Sequence, residues 1–319
     1  NVGKDRTMSA ASAPDAGAPQ VYDFMYYLRS AVAGGICCSI THAALCPVDV
    51  VKTRIQLHPE IYNRGMIAGF KQVIAADGVG ALASGLGPTA FGYFVQGWFK
   101  FGGVEVFKIN ATDYLGVEKS WEMKTPIYLG SAACAEFIAD IFLCPLEATR
   151  IRQVSDPSHP KGLLSGMRAL AAKEGFVRGF YSGLGPILLK QIPYTMAKFA
   201  VQGRAADAIY NALGTTPHES TSGKNLAVSL TSGTIAGVAA AIISHPADTL
   251  LSKINKAGAG GEGSIMTRLG RLAGEIGFVN LATVGLGPRC VMIGTLTALQ
   301  FAIFDTVMEA TGATKFQFT

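Results

Sequence analysis

The sequence predicts an all-α membrane protein with six membrane-spanning helices, built as three repeats of two helices each. Three observations carry this expectation. Of 319 residues, 49% are apolar and only 15% are charged, against a charged share of about 25% in soluble domains. The 38 glycines and a mean hydropathy of +0.32 suit helices that approach closely inside lipid. Two words also recur in phase. One is Cys46-Pro47-Val48-Asp49, Cys144-Pro145-Leu146-Glu147 and His245-Pro246-Ala247-Asp248; the other is Gly85-Leu86-Gly87-Pro88, Gly183-Leu184-Gly185-Pro186 and Gly285-Leu286-Gly287-Pro288. A period of about one hundred residues is a domain-sized repeat.

The elements follow in order. Residues 1–21 are small and polar and read as a flexible segment or tag remnant, with no secretory signal. The repeats are expected at 22–115, 124–215 and 224–312, each an apolar stretch, the Pro-acid word, a basic connection, the Gly-Leu-Gly-Pro word and a second apolar stretch. Phe24 to Gln56, Ile127 to Val154 and Leu226 to Asn255 form the first helices, bent at Pro47, Pro145 and Pro246 because proline removes a backbone donor. Pro88 to Lys108, Pro186 to Leu213 and Pro288 to Ala310 form the second helices, where an initial proline costs little. Met66 to Ala76, Leu164 to Ala172 and Ile265 to Ala273 mix apolar and basic residues as short interfacial helices do. The connecting segments hold fourteen bases and nine acids, which places them on one side of the membrane.

Composition also excludes several functions. A net charge of +5 without a basic run does not fit nucleic-acid binding. The six cysteines lack the spacing of a disulfide framework or metal site and read as reduced, buried fillers. No phosphate-binding loop word occurs, so the repeated glycines serve turns and packing. With no nucleophile and base constellation, the chain is not expected to be an enzyme, and no cofactor or resident metal is expected.

Only Ser30 to Val48 and Asn225 to Ala247 are free of charge over the ~20 residues that a span requires. A charge facing lipid costs several kcal/mol, so Lys100, Glu136, Asp140, Lys190 and Lys198 should face a watery interior. Helical spacing puts His42 and Asp49 on one face, and Glu136, Asp140 and Glu147 on one stripe. Lys190, Tyr194 and Lys198 form a ladder, as do Gly92, Gln96 and Lys100. With Arg289 this makes four bases against Glu136 and Asp140, and predicts an anionic substrate. The carboxylates and the His42 imidazole supply groups that can take up and release a proton.

Pro-x-Asp-x-x-Lys-x-Arg at residues 47–54, Pro-x-Glu-x-x-Arg-x-Arg at 145–152 and the weakened Pro-x-Asp-x-x-Leu-x-Lys at 246–253 resemble the mitochondrial carrier family over residues 22–310. Phe91-Gly92-Tyr93, Gln191-Ile192-Pro193-Tyr194 and Ile293-Gly294-Thr295-Leu296 are similar to its phosphate-carrying branch. The resemblance implies a multi-pass monomer of the mitochondrial inner membrane, its repeats set around a pseudo-threefold axis with the short helices on the matrix side, working by alternating access. It implies a matrix gate in which Asp49 pairs with Arg150, Asp248 pairs with Lys52 and Gln56 braces that base, while Leu251 stands where a partner for Glu147 belongs. It also implies a cytoplasmic gate at Glu105, Lys108 and Asp305, weakened where Gln202 and Met308 replace charged residues.

Residues and resemblance together predict import of inorganic phosphate with a proton, or exchange for hydroxide. Lys190, Gln96, Tyr93, Tyr194, Lys100, Lys198 and Arg289 would hold the anion; His42, Glu136, Asp140 and Glu147 would handle the proton. Membrane lipids are the other expected partners. The alternatives are another small anion, a metal ion such as copper at Cys37 or His42, and a scaffold that transports nothing.

Overall fold

Each apolar stretch becomes one long helix, since in lipid every backbone donor and acceptor must be paired within its own segment. The computed structural model describes residues 22–57, 61, 65–156, 158–217, 219–254, 265–283, 285–313 and 315–316; the side chains of residues 56–57, 252–254, 265–266 and 278 lie outside the described set. Residues 1–21 and the side chain of Gln56 therefore fall outside it. The first repeat comprises α1 (Phe24–Leu57), α2 (Met66–Asp77), a 3-10 turn (Val79–Ala83) and α3 (Leu86–Leu115). A short α4 (Val117–Glu122) leads into α5 (Lys124–Ser155), α6 (Leu163–Glu174), α7 (Phe176–Tyr181) and α8 (Leu184–Leu213). The third repeat is α9 (Ser222–Ile254), α10 (Ile265–Ile276), α11 (Phe278–Thr283) and α12 (Leu286–Ala310).

Pro47, Pro145 and Pro246 lie inside α1, α5 and α9. Other details differ from the sequence expectation. The return helices begin two residues before their prolines, so Pro88 and Pro186 sit at the third position of a first turn, where an amide would have no helical partner. The 3-10 turn, α7 and α11 were not expected. Each follows a glycine in the left-handed region, Gly78 (φ 79°), Gly175 (φ 80°) and Gly277 (φ 78°), where a side chain would be strained. These three glycines are a third in-phase word, one too short to stand out by itself.

The long helices close into a ring: α1 packs on α3, α3 on α5, α5 on α8, α8 on α9, α9 on α12, and α12 returns to α1. Glycines set the spacing inside each repeat. A Cβ on Gly97 would collide with the carbonyl of Gly34, and one on Gly237 would lie 2.6 Å from the carbonyl of Ile293. On composition alone α1, α5, α9 and α12 are long and apolar enough to cross a membrane, and α3 qualifies together with the bent segment before it. In α8 the charges of Lys190, Lys198, Arg204 and Asp207 break the apolar run. Large apolar side chains such as Ile40, Phe91, Phe142 and Ile242 point outward, while Lys100, Glu136, Asp140 and Lys198 are buried within the ring.

Candidate functional site

A cavity of about 290 Å³ lies on the ring axis. We call the end of the ring that carries the Pro-acid words the motif end, and the opposite end, where α1 begins and α12 finishes, the terminal end. His42, Asp49 and Lys52 from α1, Tyr93, Gln96 and Lys100 from α3, Glu147 and Arg150 from α5, Lys190 and Tyr194 from α8, Asp248 and Leu251 from α9, and Arg289 from α12 all line the cavity. Five bases thus meet three acids, and the balance favours an anion. The His42 ring stacks on Tyr93 with centroids 3.5 Å apart and planes 4° from parallel.

At the motif end, Arg150 joins the first two repeats: its guanidinium lies 3.3 Å from Asp49 and donates to Glu147 at 2.8 Å. Glu147, expected to lack a partner, is held by the base one turn along its own helix. Asp248, expected on Lys52, is instead engaged by Arg289 from the same repeat and approached by Lys190 at 3.8 Å. Arg289 also donates to the Ser244 hydroxyl at 2.9 Å. Among the described residues no ion pair links Asp248 to Lys52, because Arg289, which the motif pattern does not include, reaches the carboxylate first. Lys190 keeps 37% of its side chain exposed, which leaves it free to meet a solute.

Below the cavity lies a second layer. Glu136 and Asp140 are fully buried and do not line the open space. The Lys100 ammonium sits 3.0 Å from Glu136, and the Gln96 amide nitrogen donates to Glu136 at 2.8 Å and to Asp140 at 3.4 Å. The second oxygen of Asp140 has no hydrogen-bond partner. Lys198, expected among the anion ligands, lies deeper still. It donates to Gln300 at 2.5 Å and rests over the rings of Phe101 at 4.8 Å and Phe301 at 5.1 Å, a cation held by ring faces. Gln300 in turn donates to Thr41 at 3.2 Å. The two lysines at equivalent repeat positions therefore have different neighbours: Lys100 reaches an acid and the cavity, and Lys198 reaches neither.

Phe101, Phe199, Phe301 and Phe304, all buried, seal the ring toward the terminal end. Beyond them Lys108 pairs with Glu105 at 2.5 Å, and the Tyr26 hydroxyl donates to Glu105 at 2.5 Å. The chain after α12 folds back over this pair. The Phe316 amide donates to Tyr26 at 2.9 Å and to Glu105 at 3.2 Å, and its carbonyl accepts from Lys108 at 3.1 Å. Lys315 donates to Gln202, and Ser229 donates to Asp305. Sequence reasoning missed Tyr26, Lys315 and Phe316. The terminal network treated there as weakened at Gln202 receives its base from Lys315, more than a hundred residues further along the chain. No local pattern signals that contact.

Among the described residues, no group of three or more His, Cys, Asp or Glu side chains is placed to hold a metal ion. Cys37 is buried outside the cavity lining. The family described as mitochondrial carrier protein matches residues 24–115, 122–211 and 222–314. The chain is 47% identical to a mitochondrial substrate carrier family protein N of Dictyostelium discoideum, over 90% of this chain and 96% of that protein. It is 43% identical to a mitochondrial phosphate carrier protein of Caenorhabditis elegans, over 95% of this chain and 86% of that one. With human solute carrier family 25 member 3 it shares 38% identity, over 95% of this chain and 82% of that protein. Three consecutive matches, falling on three two-helix repeats closed around a basic cavity, make this chain a member of the mitochondrial carrier family.

Proposed function

We propose that the chain carries inorganic phosphate together with a proton across the mitochondrial inner membrane, by exposing the axial cavity to each side in turn. The observation that supports this reading most directly is the juxtaposition of an exposed cation in the cavity with a buried acid layer behind its wall. Lys190 and Arg289 offer charge to an anion, while Glu136 and Asp140 lie directly behind Gln96 and Lys100. The similarity to proteins named as phosphate carriers supports phosphate over other small anions. Transport is the chain's role on this reading, with no covalent chemistry.

An anion in the cavity displaces the Asp248 carboxylate from Lys190, since a free anion competes for the same ammonium, and it leaves for the matrix past the motif end. Tyr93 and Tyr194 offer hydroxyls beside it. The proton passes to the layer beneath, where Asp140 has an unpartnered oxygen and His42 lies above on Tyr93. Asp49, Arg150, Glu147, Lys52 and Asp248 act as the matrix gate. Glu105, Lys108 and Asp305, with the segment around Phe316, act as the cytoplasmic gate. The protein works as a monomer in contact with membrane lipid, its repeats running over 22–115, 124–215 and 224–312.

The test is uptake of labelled phosphate by vesicles holding the purified chain, with and without an imposed pH difference. Uptake that rises with an inward proton gradient is expected. An absence of phosphate flux in both conditions would remove the proposal.

A further inference from the structure

Gln96 belongs to the cavity wall, yet its two amide hydrogens are already committed. One carboxylate oxygen of Glu136 and one of Asp140 lie 2.8 and 3.4 Å from its nitrogen. The orientation is dictated by chemistry: turned the other way, the amide carbonyl would face two acceptors across hydrogen-bond distance. The other Glu136 oxygen faces the Lys100 ammonium at 3.0 Å. What Gln96 can still offer the cavity is its carbonyl oxygen, which accepts and cannot donate. The three carboxylates of the wall are engaged elsewhere, Asp49 and Glu147 by Arg150 and Asp248 by Arg289.

We infer that Gln96 is a specificity-determining residue whose carbonyl oxygen accepts a hydrogen bond from a P–OH group, so the site selects oxyanions that carry a proton over those that carry none. This rests on the phosphate reading above and deepens it. Near neutrality both common forms of inorganic phosphate have at least one hydroxyl. Sulfate and ionised monofluorophosphate have similar tetrahedral size and charge but no hydroxyl to donate. Against them the carbonyl oxygen meets another acceptor and is left without a donor, which is the situation in which a buried polar group discriminates most strongly. The same amide that reads the hydroxyl is fastened to Glu136 and Asp140, which puts substrate recognition one side chain away from the proposed proton layer.

The experiment uses vesicles loaded with the full chain and exchanging labelled phosphate near neutral pH, with unlabelled phosphate, sulfate and monofluorophosphate as competitors. The unmodified protein is expected to prefer phosphate over monofluorophosphate by about tenfold or more. In Gln96→Met, which keeps the length and removes the acceptor, that preference falls to about twofold. Lys190→Ala weakens both competitors together and leaves their ratio unchanged. Equal competition by phosphate and monofluorophosphate in the unmodified protein overturns the inference, and needs no variant. So does an unchanged ratio in Gln96→Met. Absence of any phosphate exchange by the unmodified protein is a different result and tells against the phosphate reading itself.

Discussion

Single residues here are decided by what surrounds an amine or a carboxylate inside the ring. Lys190 combines exposure with a loose 3.8 Å approach to Asp248, so Lys190→Ala should raise the phosphate concentration for half-maximal uptake about tenfold or more, by loss of a charge-assisted contact. Glu136 differs, because it is buried with Lys100 at 3.0 Å. Removing one member of a buried pair leaves an uncompensated charge, at a cost of roughly 3 to 5 kcal/mol. Glu136→Gln should therefore lower the melting temperature of the detergent-purified chain and abolish uptake driven by a pH difference. The double variant Glu136→Gln, Lys100→Gln should recover most of the melting temperature but none of the proton-driven uptake. Recovery of both would show that the pair serves folding alone.

Elements meet in this molecule by backbone contact at glycine and by capture of the chain end. The collision that a Cβ on Gly97 makes with the Gly34 carbonyl involves backbone on both sides, so neither partner can turn away. Gly97→Ala should destabilise the first repeat by about 1 to 3 kcal/mol, read as a lower melting temperature. At the terminal end the Phe316 amide and carbonyl complete the hydrogen bonding of Glu105 and Lys108. Truncation after Gly312 leaves these groups short of partners and should loosen that end. Spin labels at the exposed ends of α3 and α8, on Tyr114 and Leu213, should then report a longer and broader distance distribution. Phe316→Pro, which lacks the amide hydrogen, should act in the same direction as the truncation, whereas Phe316→Leu keeps the amide and should have the smaller effect.

For the whole molecule the relevant asymmetry is between the two ends of one cavity. Four phenylalanines, Lys198 and the Glu105–Lys108 pair close the terminal end, while the more accessible charge of Lys190, beside the half-buried Asp248, lies toward the motif end. The ring is thus held from the terminal end, where α1 begins and α12 finishes. A carrier that couples phosphate to a proton should lose net accumulation when the pH difference across loaded vesicles is collapsed with a potassium–proton exchanger. Phosphate-for-phosphate exchange should persist, because it moves no net proton. Loss of both fluxes together would tie the proton to some step other than coupling.

Much of this architecture was readable from residues alone. Two words in phase disclosed three repeats, because a fold built by repetition must repeat the residues that bend and turn it. The cost of a charge in lipid disclosed an inward-facing set, which includes Lys100, Glu136 and Lys190. Identity and helix face are thus properties of the chain. Partnership was not: Glu147 found Arg150 on its own helix, Asp248 found Arg289 before Lys52, Lys198 withdrew among aromatic rings, and Lys315 came from the far end of the chain to Gln202. Helical periodicity fixes which face a residue occupies, but the reach of its side chain and the order of competing neighbours depend on how six helices approach one another, and that is settled only when the ring closes.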